Sequence, residues 1–230
     1  MKQVFPFLEN LLTLQMNSWN QDSPQIASLV LSIWAKAIHM EITDYFNVDN
    51  LKIWMYITKT LYDMSLAPAL TEKLTDWSKV YESDELVEWK IKKYAMQIAS
   101  RFMYHSLGAS QSDQQYNCLQ YFIDNYSVKF LESAYLTLVH QRHQHVSPNT
   151  LSAAIRYLFF ALQVEKIYLL VLPQLEALLL DHLVPLLALN PKDHEYWQDD
   201  PVQYIYSKHT KSKDHNSVKN STEELINMLC

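Results

Sequence analysis

Ser23-Pro24-Gln25-Ile26-Ala27-Ser28-Leu29-Val30-Leu31-Ser32-Ile33-Trp34-Ala35-Lys36-Ala37-Ile38-His39-Met40 is the stretch on which the fold turns. Its apolar residues stand at Ile26, Leu29, Val30, Ile33, Trp34 and Ala37. That spacing draws one stripe along an α-helix, whereas a half-buried strand would alternate every second residue. Ser23 is placed to cap the first turn and Pro24 to open it, because proline lacks an N–H that the first turn leaves unbonded anyway.

The same pattern recurs outward from there. A second helix is predicted from Val48 to Asp63, capped by Asn47 or Asp49, with Leu51, Trp54, Met55, Thr58 and Leu61 on its buried side. Residues 64–85 form a long connection with a short helix after Pro68 and an acidic end, Glu82, Asp84, Glu85 and Glu88. Long connections are where contact residues collect, so this stretch is a candidate partner surface as well as a solvated crossing. A third helix spans Leu86 to Tyr104, striped by Ile91, Tyr94, Ala95, Ile98 and Phe102, with Glu88 and Lys92 spaced for an ion pair. Residues 105–115 make a turn, and a long helical region runs from Tyr116 to Gln144, bent near Asn125. Ser147-Pro148 then repeats the cap-plus-proline start, followed by Leu151, Ala154, Ile155, Leu158 and Leu162. Leu172–Leu189 is apolar on nearly every side and reads as an inner-layer helix.

Pro24, Leu86 and Pro148 begin helices of one class, each 62 residues after the last. Asp49, Tyr116 and Pro173 begin the second class. Two-helix units cannot bury their stripes alone, and stacking neighbours does so. The expected fold is therefore all-α, a right-handed α-solenoid of about three and a half helix pairs over residues 1–206, followed by a polar linker and short terminal helix over 207–230. Val4-Phe5-Pro6-Phe7-Leu8 with Leu11, Leu12 and Leu14 reads as a second-class helix without its partner, which suggests a segment of a longer array.

Composition narrows the function. Gly108 is the only glycine in 230 residues, where average usage of about 7% would give roughly sixteen. Phosphate loops, dinucleotide fingerprints and nucleophile elbows each need several, so all are excluded. The net charge of −6 argues against nucleic acid as a partner and suits basic proteins. Cys118 and Cys230 make no disulfide framework, and the chain reads as one for a reducing, intracellular compartment. Ile167–Leu189 is the one stretch that suggests a membrane span, but Glu176 and Asp181 would each cost about 2.5–3.5 kcal/mol at bilayer depth, so no membrane insertion is expected.

Reactive constellations are sparse. His140, His143 and His145 end a helix, and His140 and His143 could share a face, but no third ligand is evident, so no metal is expected. No local nucleophile–base pair is present, and neither an enzyme nor a cofactor is expected. A small metalloenzyme using the histidines, and a helical scaffold with no transport role, remain as other readings of the same residues. Gln174 and Asp181 share a helix face and could line a binding surface. Asp200 before Pro201 repeats the capped start, with Trp197 ahead of it and Val202, Tyr204 and Ile205 behind to staple the chain's entry.

Trp197-Gln198-Asp199-Asp200-Pro201-Val202-Gln203-Tyr204-Ile205 resembles the corner motif of importin-β-type nuclear transport receptors (karyopherins), especially the importin seven/eight branch. Trp89-Lys90-Ile91-Lys92-Lys93-Tyr94-Ala95 is similar to a helix of that branch, and the likeness runs in order from about Pro24 to Tyr206. The residues that carry the signature are Trp89, Trp197, Asp199, Asp200, Pro201, Tyr204 and Ile205. The resemblance implies HEAT-type helix pairs and partners of three kinds: cargo proteins, Ran GTPase and Phe-Gly nucleoporins. It also implies shuttling between cytoplasm and nucleus through the nuclear pore. Glu82, Asp84, Glu85 and Glu88 would then meet a basic cargo or Ran, and Gln174 and Asp181 would line the concave side. The polar run Ser207-Lys208-His209-Thr210-Lys211 departs from the family pattern, and the chain reads as a middle segment.

Overall fold

A computed structural model describes residues 4–39, 41–42, 45–65, 86–108, 112–188, 197–205 and 217–230. Among the described residues every regular element is helical. The helices are α1 (Val4–Asn17), α2 (Ser23–Ala37), α3 (Val48–Asp63), α4 (Val87–Ser106), α5 (Asp113–Asn125), α6 (Ser127–Gln141) and α7 (Pro148–Ala161). They continue with α8 (Glu165–Leu187) and α9 (Val218–Leu229), and residues 197–199 and 201–205 add short helical turns.

Local chemistry explains most of these bounds. Asn47 caps α3 by accepting from the Asn50 N–H at 2.9 Å. α5 starts earlier than its apolar stripe suggests, because Ser112 and Gln115 form a reciprocal capping box. The long region after it is two helices. At Tyr126 the backbone leaves the helical range (φ −125°, ψ −25°), while Asn125 and Ser127 turn side chains onto the carbonyls of Tyr121 and Ile123. Short polar side chains compete with the helix ladder in this way and mark its breaks.

Three expectations need correction. Ser23 sits inside α2 and is no cap: its hydroxyl donates to Gln15 Oε1 at 2.6 Å and accepts from the Asn20 N–H, which ties α1 to the start of α2. Lys92 turns away from Glu88 to the carbonyls of Tyr62 and Met64, because the C-terminus of α3 offers unbonded carbonyls and partial negative charge. The apolar helix expected at 172–189 begins at Glu165, eight residues before Pro173, and is no inner layer. Pro173 is absorbed by a 3₁₀ turn, Leu172–Gln174, and a π segment, Leu178–Leu183, follows. Only Ile167, Leu178, His182 and Leu183 are buried on it, while Leu169, Leu170, Leu172, Leu180 and Val184 are exposed. Among the described residues, α9 and α6 pack on it and Lys166 pairs with Asp124 of α5 at 3.0 Å. α8 is also the helix among the described residues that is long and apolar enough to cross a membrane.

The helices stack in two layers. α2 packs on α4, α4 on α7, and α7 on α9, so one layer holds the helices in chain order. α1, α3, α5 and α6 lie against it: α3 touches α1, α4, α5 and α6, and α6 touches α4 and α7. This arrangement is consistent with an α-solenoid. α1 buries Phe5, Leu8 and Leu12 against α2 and α3.

A chain of aromatic rings runs through the seam between the layers. Trp34 of α2 meets Trp54 of α3 at 4.6 Å between ring centroids and Phe102 of α4 at 6.2 Å. Phe102 meets Phe122 of α5 at 5.3 Å, Phe122 meets Phe130 of α6 at 6.1 Å, and Phe130 meets Tyr157 of α7 at 6.1 Å. All six side chains are fully buried. Phe102 is the ring that joins the two halves of this chain. Phe102→Ala is expected to cost about 3–5 kcal/mol of stability, the usual loss for a buried aromatic. Urea unfolding followed by far-ultraviolet circular dichroism measures it, and a loss under 1 kcal/mol, roughly what a tolerated core swap costs, would remove the ring from that role.

Candidate functional site

The long connection leaves α3 and enters α4 at one place, and a cavity of about 340 Å³ opens there. Asp63 and Met64 end α3 on one wall, Trp89 and Lys92 open α4 on another, and Thr137, His140 and Thr150 close it from α6 and α7. Lys92 is mostly buried. Its ammonium donates to Tyr62 O and to Met64 O (2.9 Å) and lies 5.2 Å from the Tyr62 ring centroid. Burial pushes its pKa down to about 8, against a smaller upward pull from the Asp63 carboxylate.

The polar groups around Lys92 form a chain. Thr137 Oγ1 gives its proton to Ser133 O at 2.8 Å. The Tyr62 hydroxyl, 2.6 Å from Thr137 Oγ1, is then the donor of that pair. Ser133 Oγ in turn lies within bonding distance of Asp63 Oδ1, at 2.9 Å. Thr150 Oγ1 donates to Trp89 O at 3.1 Å, which fixes the first turn of α4 to α7. One ammonium thus closes the end of α3 onto α4 while the hydroxyls bind α3 to α6.

Of the acidic candidates, Glu88 is half-buried in the first turn of α4, where a carboxylate suits the positive end of the helix. Glu82, Asp84 and Glu85 lie outside the described residues. Gln174 and Asp181 are both exposed on α8. Between them and the core, His182 is buried beside Tyr135 of α6, their rings 5.3 Å apart. Trp89 is buried, whereas Trp197 is 42% exposed. At the corner, Asp200 Oδ1 accepts from the Gln203 N–H at 2.8 Å, the capping bond its position implies. The Trp197 ring stands edge-on to Tyr204, 5.5 Å away, as a staple requires. Tyr204 is buried and Ile205 exposed. Asp199 and Pro201 flank the capping residue and are exposed.

His140 and His143 are exposed and His145 is buried, so the three do not converge. Among the described residues no group of three or more His, Cys, Asp or Glu side chains could hold a metal ion. Cys118 is buried, its thiol donating to Phe46 O at 3.1 Å, and burial pushes its pKa up to about 11.

Sequence reading overlooked one surface, a groove across α2, α4 and α7 that holds Lys36, Lys93, Arg101 and Arg156. These four residues are scattered over 120 positions of chain, and no single window shows them as a cluster.

Comparison with known proteins adds an independent observation. The chain is 22% identical over 205 residues to Importin-8 of Mus musculus, an alignment covering 88% of this chain and 19% of that protein. It is 24% identical over 236 aligned positions to Importin-8 of Danio rerio, covering 97% of this chain and 22% of the relative. An importin beta-like SAD2 homolog of Arabidopsis thaliana is 24% identical over 200 residues, 76% of this chain and 19% of the relative. The chain therefore spans about a fifth of the length of the curated relatives it matches. No family model matches it, and no solved structure matches it. The relatives, though low in identity, support membership of the importin-β superfamily.

The environment of Lys92 yields a pH prediction. Native Lys92 gives up its proton through pH 8, while in the unfolded chain it keeps it to about 10.5. Between those values the unfolded state binds more protons, so this residue's contribution to stability rises with pH. The melting temperature of the parent chain minus that of Lys92→Met should increase from pH 7 to pH 10. A difference that is flat or falls would contradict it.

Proposed function

We propose that this chain is a stretch of HEAT-type helix pairs, wound as a right-handed solenoid, in a nuclear transport receptor that carries cargo proteins into the nucleus. The observation that carries the reading is the ordered stacking of α2, α4 and α7, with α3 and α5–α6 returning against them, in a chain whose relatives match it nearly end to end. Each unit leaves its stripe half-covered until the next unit arrives, which is the physics of a repeat array. The 62-residue interval between helix starts is reproduced to within two residues by α2, α4 and α7.

The array spans residues 1–206, and 207–230 joins it as a polar linker and terminal helix. In the complete receptor, Ran–GTP and cargo each favour a different curvature of one springy stack, so binding of one releases the other. Phe-Gly nucleoporins supply weak contacts during passage through the pore. The receptor moves between cytoplasm and nucleus by this cycle and needs neither a cofactor nor a catalytic centre. Glu82, Asp84, Glu85 and Glu88 offer carboxylates to a basic cargo or to Ran, and Gln174 and Asp181 offer polar contacts on the concave side.

Immobilised chain should retain a basic nuclear-localisation peptide or a Phe-Gly repeat peptide, and the complete receptor should bind Ran loaded with GTP more tightly than Ran loaded with GDP. Reversing Glu82, Asp84, Glu85 and Glu88 to Lys should weaken the basic peptide about tenfold, near 1.4 kcal/mol. Retention of none of these ligands, and no nucleotide preference in the complete receptor, would sink the proposal.

A further inference from the structure

A groove of about 920 Å³ crosses α2, α4 and α7 on the side of the layer away from α3 and α6. Lys36 stands on α2, Lys93 and Arg101 on α4, and Arg156 on α7, with His39 just past the end of α2. No aspartate or glutamate is among the described residues lining it. In a chain of net charge −6, a groove with four fixed positive charges and no carboxylate is a local reversal of the whole molecule's sign.

The pair at its centre is electrostatically unfavourable as it stands. Arg101 is half-buried, and both its burial and the neighbouring Arg156 guanidinium pull its pKa below the ordinary arginine value. Among the described residues neither guanidinium meets a carboxylate. The packing of α4 on α7 holds the two like charges together, and an anion seated between them would relieve the repulsion and use their planar donor forks. Lys93 already lies 4.7 Å from the Tyr94 ring centroid, and Tyr104 stands edge-on to Phe160 at 5.4 Å. These rings give the groove an apolar wall. Gln97 and Asn149 add amides that can bond a peptide backbone.

From these observations we propose that the groove binds an extended acidic peptide segment of a partner protein. Adjacent helix axes lie about 8–10 Å apart, so a path across three helices is roughly 16–20 Å long. An extended chain covers that with about six residues, and side chains of one face recur every second residue. Glutamates or aspartates at alternate positions would present three carboxylates to the four fixed cations. A nucleic acid suits the groove less well, because its charge continues past both ends onto an acidic surface, whereas a short peptide keeps its charge inside. The proposal is independent of the transport reading, whose test uses basic ligands.

Fluorescence anisotropy of the full chain with a fluorescein-labelled dodecapeptide of alternating Glu and Ser tests it. Saturable binding is expected, weakened at least tenfold by Arg101→Gln with Arg156→Gln and weakened on raising salt from 50 to 200 mM, roughly as screening requires. A Lys–Ser peptide of the same length should be indifferent to the arginine change. Should the double arginine variant lose its cooperative melt, Lys36→Gln with Lys93→Gln decides instead, with at least a threefold weakening expected. Absence of binding to the acidic peptide, equal affinity in a folded variant, or tighter binding of a twelve-nucleotide oligothymidine would overturn the proposal.

Discussion

The contact of Trp34, Trp54 and Phe102 is the constraint on which the rest of this structure depends. The rings come from α2, α3 and α4, and none of these helices could hide its own ring. Trp34 is buried with its indole N–H unbonded, so packing against rings outweighs a lost polar bond there. Once α4 is seated by Phe102, Phe122, Phe130 and Tyr157 follow in line, and Tyr157 fixes the far end by donating to Ser127 O at 2.6 Å. Ser127 is the residue at which α5 breaks into α6. The break and the next unit are therefore coupled through one buried hydroxyl.

This seam divides the surface. On one side of the helix layer, the returning helices converge near the long connection, where Lys92 and the hydroxyls of Tyr62 and Thr137 tie α3, α4 and α6 together. On the other side, α2, α4 and α7 carry their basic residues into one groove. α4 serves both: Trp89, Lys92 and Phe102 look to the seam, and Lys93, Gln97 and Arg101 look out. Lys93, Gln97 and Arg101 stand four residues apart, the spacing of one helix face. An amphipathic helix thus has a third function beyond burial, because its polar face is shaped by the neighbours it stacks on.

Much of the helical order was legible because it is local. The stripe and cap of α3 define Val48–Asp63, and the capped proline at Asp200-Pro201 forms the bond it implies. The reading failed where a local signal had two meanings. Pro173 marks a helix start by its residue type, but a 3₁₀ turn carries it inside α8, with Glu165 eight residues upstream. The apolar wrap of Leu172–Leu189 implied cover on all sides, yet cover depends on neighbours that periodicity does not contain. The Ser112–Gln115 capping box starts α5 ahead of the apolar stripe behind it. The basic groove was hidden for a different reason: Lys36, Lys93, Arg101 and Arg156 meet only through stacking, so their chemistry exists at the level of the fold.

The central claim is that α2, α4 and α7 form an open row with α4 in the middle, and a distance across the row tests it most directly. Spin labels at Lys36 near the end of α2 and Phe160 near the end of α7, both lining the groove, should lie about two interaxial spacings apart, roughly 16–20 Å plus the reach of the labels. Pulsed dipolar spectroscopy would then show one separation above about 20 Å, since the labels add to the helix spacing. Strong dipolar broadening from labels only about 8–10 Å apart would mean that α2 and α7 touch in a closed bundle, and would contradict the account.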